Sequence, residues 1–138
     1  MTHSRSPLVL IADDDFATCD LYTSYLSSVG YRVETAKDGY QAVLKARLMR
    51  PAVIIMDLAM PRVDGWRAIK ELRDDPNTAK IPIVVLTGHD LRDFLKPAAV
   101  AVGATTYLKK PCSPDRLAIE IGERLRASWT GPLRARWM

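Results

Sequence analysis

Sulfur and imidazole are scarce in this sequence, which has two cysteines and two histidines among 138 residues. Cys19 and Cys112 have no CxxC spacing, so neither a disulfide framework nor a redox motif is expected and both read as reduced thiols. His3 and His89 are too few and too far apart for a zinc site. Long apolar runs are missing too. The longest, 53–56 and 81–86, fall far short of the ~20 residues that a membrane helix needs. The apolar start at 7–12 is too short for a signal peptide and runs straight into three acids, so a cytoplasmic chain without a membrane span is expected. No internal repeat, low-complexity tract or linker interrupts the pattern.

What is present describes one globular unit. The sequence is 48% hydrophobic and 26% charged, enough for a sizeable core. The expected division is a tail at 1–7, a domain at 8–127 and a tail at 128–138. A net charge of +4 invites a nucleic-acid reading, but Arg5, Arg134 and Arg136 belong to the tails, and without them the body is near +1. Direct nucleic-acid binding is therefore not expected.

Along the chain, apolar strands alternate with helical patterns. Residues 8–12 form a fully apolar strand that ends in Asp13-Asp14-Asp15, and Asp15 suits the N-cap of a helix over 16–29 closed by Gly30. Residues 31–36 alternate like a strand, Asp38-Gly39 turns, and 40–50 is helical up to Pro51. The run 53–56 is a third strand, 66–73 a third helix, and 83–86 a fourth strand that stops at Thr87-Gly88. The stretch 91–102 has helical composition with Pro97 inside it, so a short or bent helix is expected. Residues 105–108 form a short fifth strand, and Ser113-Pro114 opens a last helix over 115–127. Five strands alternate with five helices, and the continuous apolar runs among them, as expected of parallel strands buried on both faces, predict an α/β, doubly wound (βα)5 parallel sheet of the flavodoxin-like order 2-1-3-4-5.

That order gathers the polar residues on one rim. Asp13-Asp14 follow strand one, Asp57 strand three, Thr87 strand four and Lys110 strand five, and strands one and three are neighbours at the topological switch point. Taken alone, Asp57 reads equally as a turn cap. In company, three crowded carboxylates require a cation, and hard oxygen ligands of this kind suit magnesium. A Thr87 hydroxyl and a Lys110 ammonium beside a metal are the usual partners of a phosphoryl group.

The set of motifs resembles the receiver domain of two-component response regulators, particularly the single-domain, chemotaxis-regulator kind. It comprises the acidic pair, Met56-Asp57 followed by Met60-Pro61-x-x-Asp64-Gly65, then Thr87-Gly88 and Gly103-Ala104-x-x-Tyr107-x-x-Lys110-Pro111, over about 8–126. The resemblance implies that Asp57 accepts a phosphoryl group from a histidine kinase or phosphotransfer protein. It implies magnesium held by Asp14 and Asp57, by Asp13 through water, and by the backbone carbonyl of Ala59. Lys110 is the matching lysine, behind a cis bond to Pro111, and Lys109 is a solvated neighbour. Thr87 and Tyr107 form the switch pair, which changes the face made by helix four, strand five and helix five. Ala59 and His89 flank the line of water attack on the acyl phosphate. Ala59 neither orients nor shields, whereas His89 orients or obstructs the water, so His89→Ala is expected to shift autodephosphorylation several-fold.

The sequence also departs from the family pattern. Cys112 stands where phenylalanine is usual after Lys-Pro, and Pro97 falls in helix four. No second domain follows in this sequence, so the expected signal leaves by contact: a downstream protein partner, a phosphorelay step or a phosphorylation-dependent dimer. The expected chemistry is self-phosphorylation and autodephosphorylation, not turnover as an enzyme. A haloacid-dehalogenase-like phosphatase also places Asp, Thr and Lys on such a rim. Its DxDx[TV] motif is not matched by Asp13-Asp14-Asp15-Phe16-Ala17, and no cap insertion is present. A degenerate receiver used as a scaffold is the second alternative. Trp129, Leu133 and Trp137 are costly to leave in water, which favours a tail folded back on the domain or docked on a partner.

Overall fold

A computed structural model describes residues 6–88 and 95–128, with the side chains of 95–97 excepted. The order is β1 (Leu8–Ala12), α1 (Phe16–Ser28), β2 (Arg32–Ala36), α2 (Gly39–Met49), β3 (Val53–Met56), α3 (Gly65–Asp74), β4 (Ile83–Thr87), α4 (Leu95–Val102), β5 (Thr106–Lys109) and α5 (Pro114–Ala127). All pairings are parallel in the order β2-β1-β3-β4-β5, as expected.

The sheet divides the core in two because successive side chains of a strand point to opposite faces. Leu10, Ile54, Met56, Ile83 and Val85 face α2, α3 and α4 with Ala42, Ile69 and Leu72. Val9, Ile11, Val53, Ile55, Val84 and Leu86 face α1 and α5 with Leu26, Leu117 and Ile121. β3 and β4 are buried along their whole length, which is why they read as unbroken apolar runs. Each fully buried large aliphatic side chain contributes about 1.5–3 kcal/mol.

Helix starts follow local chemistry. Asp15, Asp38, Asp64 and Ser113 are N-caps, each accepting a backbone N–H three residues on. Asp38 and Gly39 therefore open α2 instead of forming a separate turn. In α4, Pro97 falls within the helical stretch Leu95–Val102.

Two close approaches fix the β3–α3 loop. A Cβ on Gly65 would lie 2.2 Å from the Asp57 carbonyl oxygen, and one on Gly39 2.0 Å from that of Val63. The Gly39 N–H donates to the Val63 carbonyl at 2.7 Å. Arg62 reaches the Asp38 carboxylate at 2.9 Å and ties the same loop to the start of α2. Arg73 donates to the Gly103, Ala79 and Ile81 carbonyls, and its burial lowers its pKa.

Candidate functional site

The carboxyl ends of β1, β3, β4 and β5 carry the predicted polar residues. The Asp57 N–H donates to the Ala12 carbonyl, and the Lys110 N–H to that of Thr87, both at 2.9 Å, so each residue continues its strand's ladder by one step. Asp13, Asp57 and Thr87 are buried, and Asp14 is exposed. Carboxylate oxygens of Asp13, Asp14 and Asp57 all lie within 4.8 Å of one another. Like charges that close repel.

The Lys110 ammonium bridges two of them, Asp13 and Asp57. Lys110 Nζ lies 2.6 Å from Asp13 Oδ2 and 3.6 Å from Asp57 Oδ2. Burial alone lowers the ammonium pKa, but the Asp13 hydrogen bond and the charges of Asp57 and Asp13 outweigh it, and the net shift is upward. The shorter contact is to Asp13, whose Oδ1 also accepts the Asp15 N–H at 2.9 Å. Asp57 Oδ1 accepts the Ala59 N–H at 3.2 Å. One lysine therefore offsets part of the charge of three acids. This oxygen-only donor set, short of positive charge, fits a hard divalent cation.

Asp15 stands apart as the helix cap. Both the side chain and the N–H of Thr18 donate to it, which lowers its pKa. Thr87 and Tyr107 fall on the same face of the sheet, because Tyr107 pairs with Val85, two residues before Thr87. Tyr107 is half-buried against the cluster under α3 and α4. Lys110-Pro111 is cis, as the resemblance implied. His89 lies outside the described residues, as do Trp129, Leu133 and Trp137.

Two supports escaped the sequence reading. Tyr22 Oη donates to the Cys112 carbonyl at 2.6 Å, holding the chain just past Lys110-Pro111 from α1. Cys112 itself is half-buried against the α1–α5 cluster. The sequence separation of 90 residues leaves no local signal for this bond. Gly65 is the other: Asp64-Gly65 reads as a turn, yet the glycine is needed because the Asp57 backbone passes directly over it. A crevice of about 260 Å³ between α1 and β2 also opens on Asp13 and Asp14, lined in part by Phe16, Cys19 and Val33.

Comparison with known proteins agrees with this geometry. The family model described as the response regulator receiver domain matches residues 9–121. The DNA-binding dual master transcriptional regulator RpaA of Synechocystis sp. is 36% identical over 121 residues, 87% of this chain and 49% of that protein. The alkaline phosphatase synthesis transcriptional regulatory protein PhoP of Bacillus subtilis is 34% identical over 87% of this chain and 49% of its own length. The chain thus spans about half the length of these curated relatives. Among solved structures, the chemotaxis response regulator CheY4 of Vibrio cholerae has a TM-score of 0.81 at 35% identity, covering 87% of this chain and 99% of that one. The receiver domain of a sensor histidine kinase from Pseudomonas aeruginosa, with a magnesium ion coordinated in its active site cleft, gives 0.80 at 29% identity over 88% and 98%. Neither the phosphatase nor the scaffold alternative is favoured. No helix among the described residues is long and apolar enough to cross a membrane.

Proposed function

The chain belongs to the response regulator receiver domain family of two-component signalling, and from that premise we propose that Asp57 is its phosphoacceptor. The reading rests on one observation: a buried carboxylate at the end of β3 with two further carboxylates within 4.8 Å and a lysine ammonium 3.6 Å away. An Asp57 oxygen attacks the phosphorus of a phosphohistidine on a histidine kinase or phosphotransfer protein. The P–N bond breaks, an acyl phosphate forms, and the imidazole leaves with the bond's electron pair.

Asp14, Asp57 and the Ala59 backbone carbonyl would hold magnesium, with Asp13 acting through water. The ion would offset charge on the phosphoryl oxygens. Lys110 supplies the protein's own positive charge on the same side. Its raised pKa keeps it an ammonium throughout the physiological range.

Phosphorylation replaces the single charge of the Asp57 carboxylate with up to two on the phosphoryl group and brings three acceptor oxygens to the rim. Thr87 donates its hydroxyl to the new group, Tyr107 follows on the same face, and the surface of α4, β5 and α5 passes from one arrangement to the other. A downstream protein or a second copy reads that surface. The domain at 8–127 acts between its tails in the cytoplasm as a switch with self-phosphorylation and autodephosphorylation chemistry, and without direct nucleic-acid contact. Ala59 and His89 set the lifetime of the phosphorylated state.

Incubation with acetyl phosphate and magnesium, read by intact mass, tests the assignment. Wild type gains one adduct of about 80 Da, the mass of a phosphoryl group, and Asp57→Ala gains none. Equal adducts on both proteins would remove Asp57 as acceptor.

A further inference from the structure

α1 reaches the rim from behind with side chains that do more than pack. Its buried residues are Cys19, Tyr22 and Leu26, spaced i, i+3 and i+7 on one face. Leu26 is purely apolar, but the other two are donors. Cys19 Sγ donates to the Asp13 carbonyl at 3.3 Å, and Tyr22 Oη donates to the Cys112 carbonyl at 2.6 Å. A single helix face therefore holds the backbone of Asp13 and the loop that carries Lys110, the two partners of the 2.6 Å ion pair.

The Tyr22 hydroxyl is not explained by packing. Tyr22 is 4% exposed in the cluster with Leu26, Leu117 and Ile121, where a bare phenyl ring would fill the same space. A buried hydroxyl costs stability unless it is bonded, and this one is bonded to the loop of the site lysine. Burial raises the phenol pKa, so the group stays a donor at neutral pH. A lysine ammonium hangs on a flexible stem and is aimed only as well as its own backbone is fixed. On one side, the Lys110 N–H donates to the Thr87 carbonyl at 2.9 Å. On the other, Pro111 has its φ locked by the ring, so the position of Cys112 is passed stiffly back to Lys110.

We propose that Tyr22 is a positioning residue for phosphoryl transfer: through the Cys112 carbonyl its hydroxyl holds Lys110 where the ammonium spans Asp13 and Asp57. The role rests on the reading of Asp57 as acceptor. Lys110 Nζ is 2.6 Å from one carboxylate and 3.6 Å from the other, so a small loop displacement changes how the charge is shared between them. Misplacing a reacting or stabilising group by ~1 Å can cost on the order of 100-fold in rate. Loosening this tie while the Thr87 carbonyl still holds Lys110 costs less.

Tyr22→Phe in the full chain tests the proposal, because it removes the hydroxyl and keeps the ring. Leu26→Val, on the same helix face, controls for loosened packing without a lost tie. The first measurement is the rate of adduct formation with acetyl phosphate and magnesium, followed by intact mass. Tyr22→Phe is expected to slow it about fivefold with circular dichroism unchanged, and Leu26→Val to stay within about twofold of wild type. The second is the proton–carbon NMR cross-peak of the Lys110 ε-methylene, recorded without phosphodonor or magnesium. It is expected to move in Tyr22→Phe and not in Leu26→Val, while that of Lys45, paired with Glu34, stays in place in both. A Tyr22→Phe rate within twofold of wild type, equal slowing by Leu26→Val, or an unmoved Lys110 cross-peak would overturn the proposal. The acceptor reading fails separately, by equal adducts on wild type and Asp57→Ala, and the cross-peak still decides whether Tyr22 holds Lys110.

Discussion

At the carboxyl ends of the strands, Asp13, Asp57 and Thr87 are polar groups held out of water, whereas along α2, Tyr40, Leu44 and Leu48 are apolar groups left in it. Both regions reverse the usual partition, but their energetics differ. The rim costs stability unless its charges are compensated, because buried carboxylates are expensive when unpaired. The α2 stripe costs little in the folded monomer, since exposed leucines are exposed in the unfolded chain as well. A strained rim responds to a charge that arrives. An indifferent stripe responds only to a surface that covers it.

Equivalent changes in the two regions should therefore have unequal effects. The largest belongs to Lys110→Met, which leaves Asp13 buried without its 2.6 Å partner. Urea unfolding at pH 7 should show a loss of about 3 kcal/mol, the range for breaking a buried pair. A loss below about 0.5 kcal/mol would mean that the rim is no more sensitive than surface. Magnesium acts next. At thirty times its Kd it should add about 2 kcal/mol by mass action, seen as a rise in Tm that EDTA reverses and Asp14→Asn largely removes.

Alkaline pH gives a smaller effect with a definite sign. Burial, with the Asp13 charge adding to it, pushes the Cys19 thiol from 9.0 up to about 11. The folded chain then holds this proton more tightly than the unfolded chain does. Its contribution is complete below pH 9 and is lost as pH rises through about 11. Lys110, also raised, adds a decline of the same sign at higher pH. Cys19→Ala should flatten the fall in stability between those limits by on the order of 1 kcal/mol, measured by urea unfolding at stepped pH. The smallest effect is expected on α2, where Leu44→Gln with Leu48→Gln should move stability by less than about 0.5 kcal/mol. A larger loss would place the stripe within the folded core's energetics and end the contrast.

Much of the fold and the rim was legible in the sequence. Strands buried on both faces must be apolar at every position, so 8–12, 53–56 and 83–86 identify themselves, and with their order fixed the residues that follow each strand must meet on one rim. Asp15 and Ser113 were readable as caps because capping is local. Asp38 was not, since Asp-Gly is also a turn signal; its burial follows from Arg62 and the Val63 carbonyl, both more than twenty residues away.

The sequence by itself determined which residues alternate, where chains of apolar contacts run, and that Asp13, Asp14, Asp57, Thr87 and Lys110 share an end of the sheet. Only the tertiary structure decided that Lys110 sits closer to Asp13 than to Asp57, that Tyr22 holds the loop beyond it, and which side of α2 faces water. Helical periodicity marks a stripe but carries no direction toward the sheet. Tyr40, Leu44 and Leu48 look like the inner face by hydrophobicity, yet the small Ala42 and Ala46 lie inward, because only short side chains let the helix approach the strands so closely.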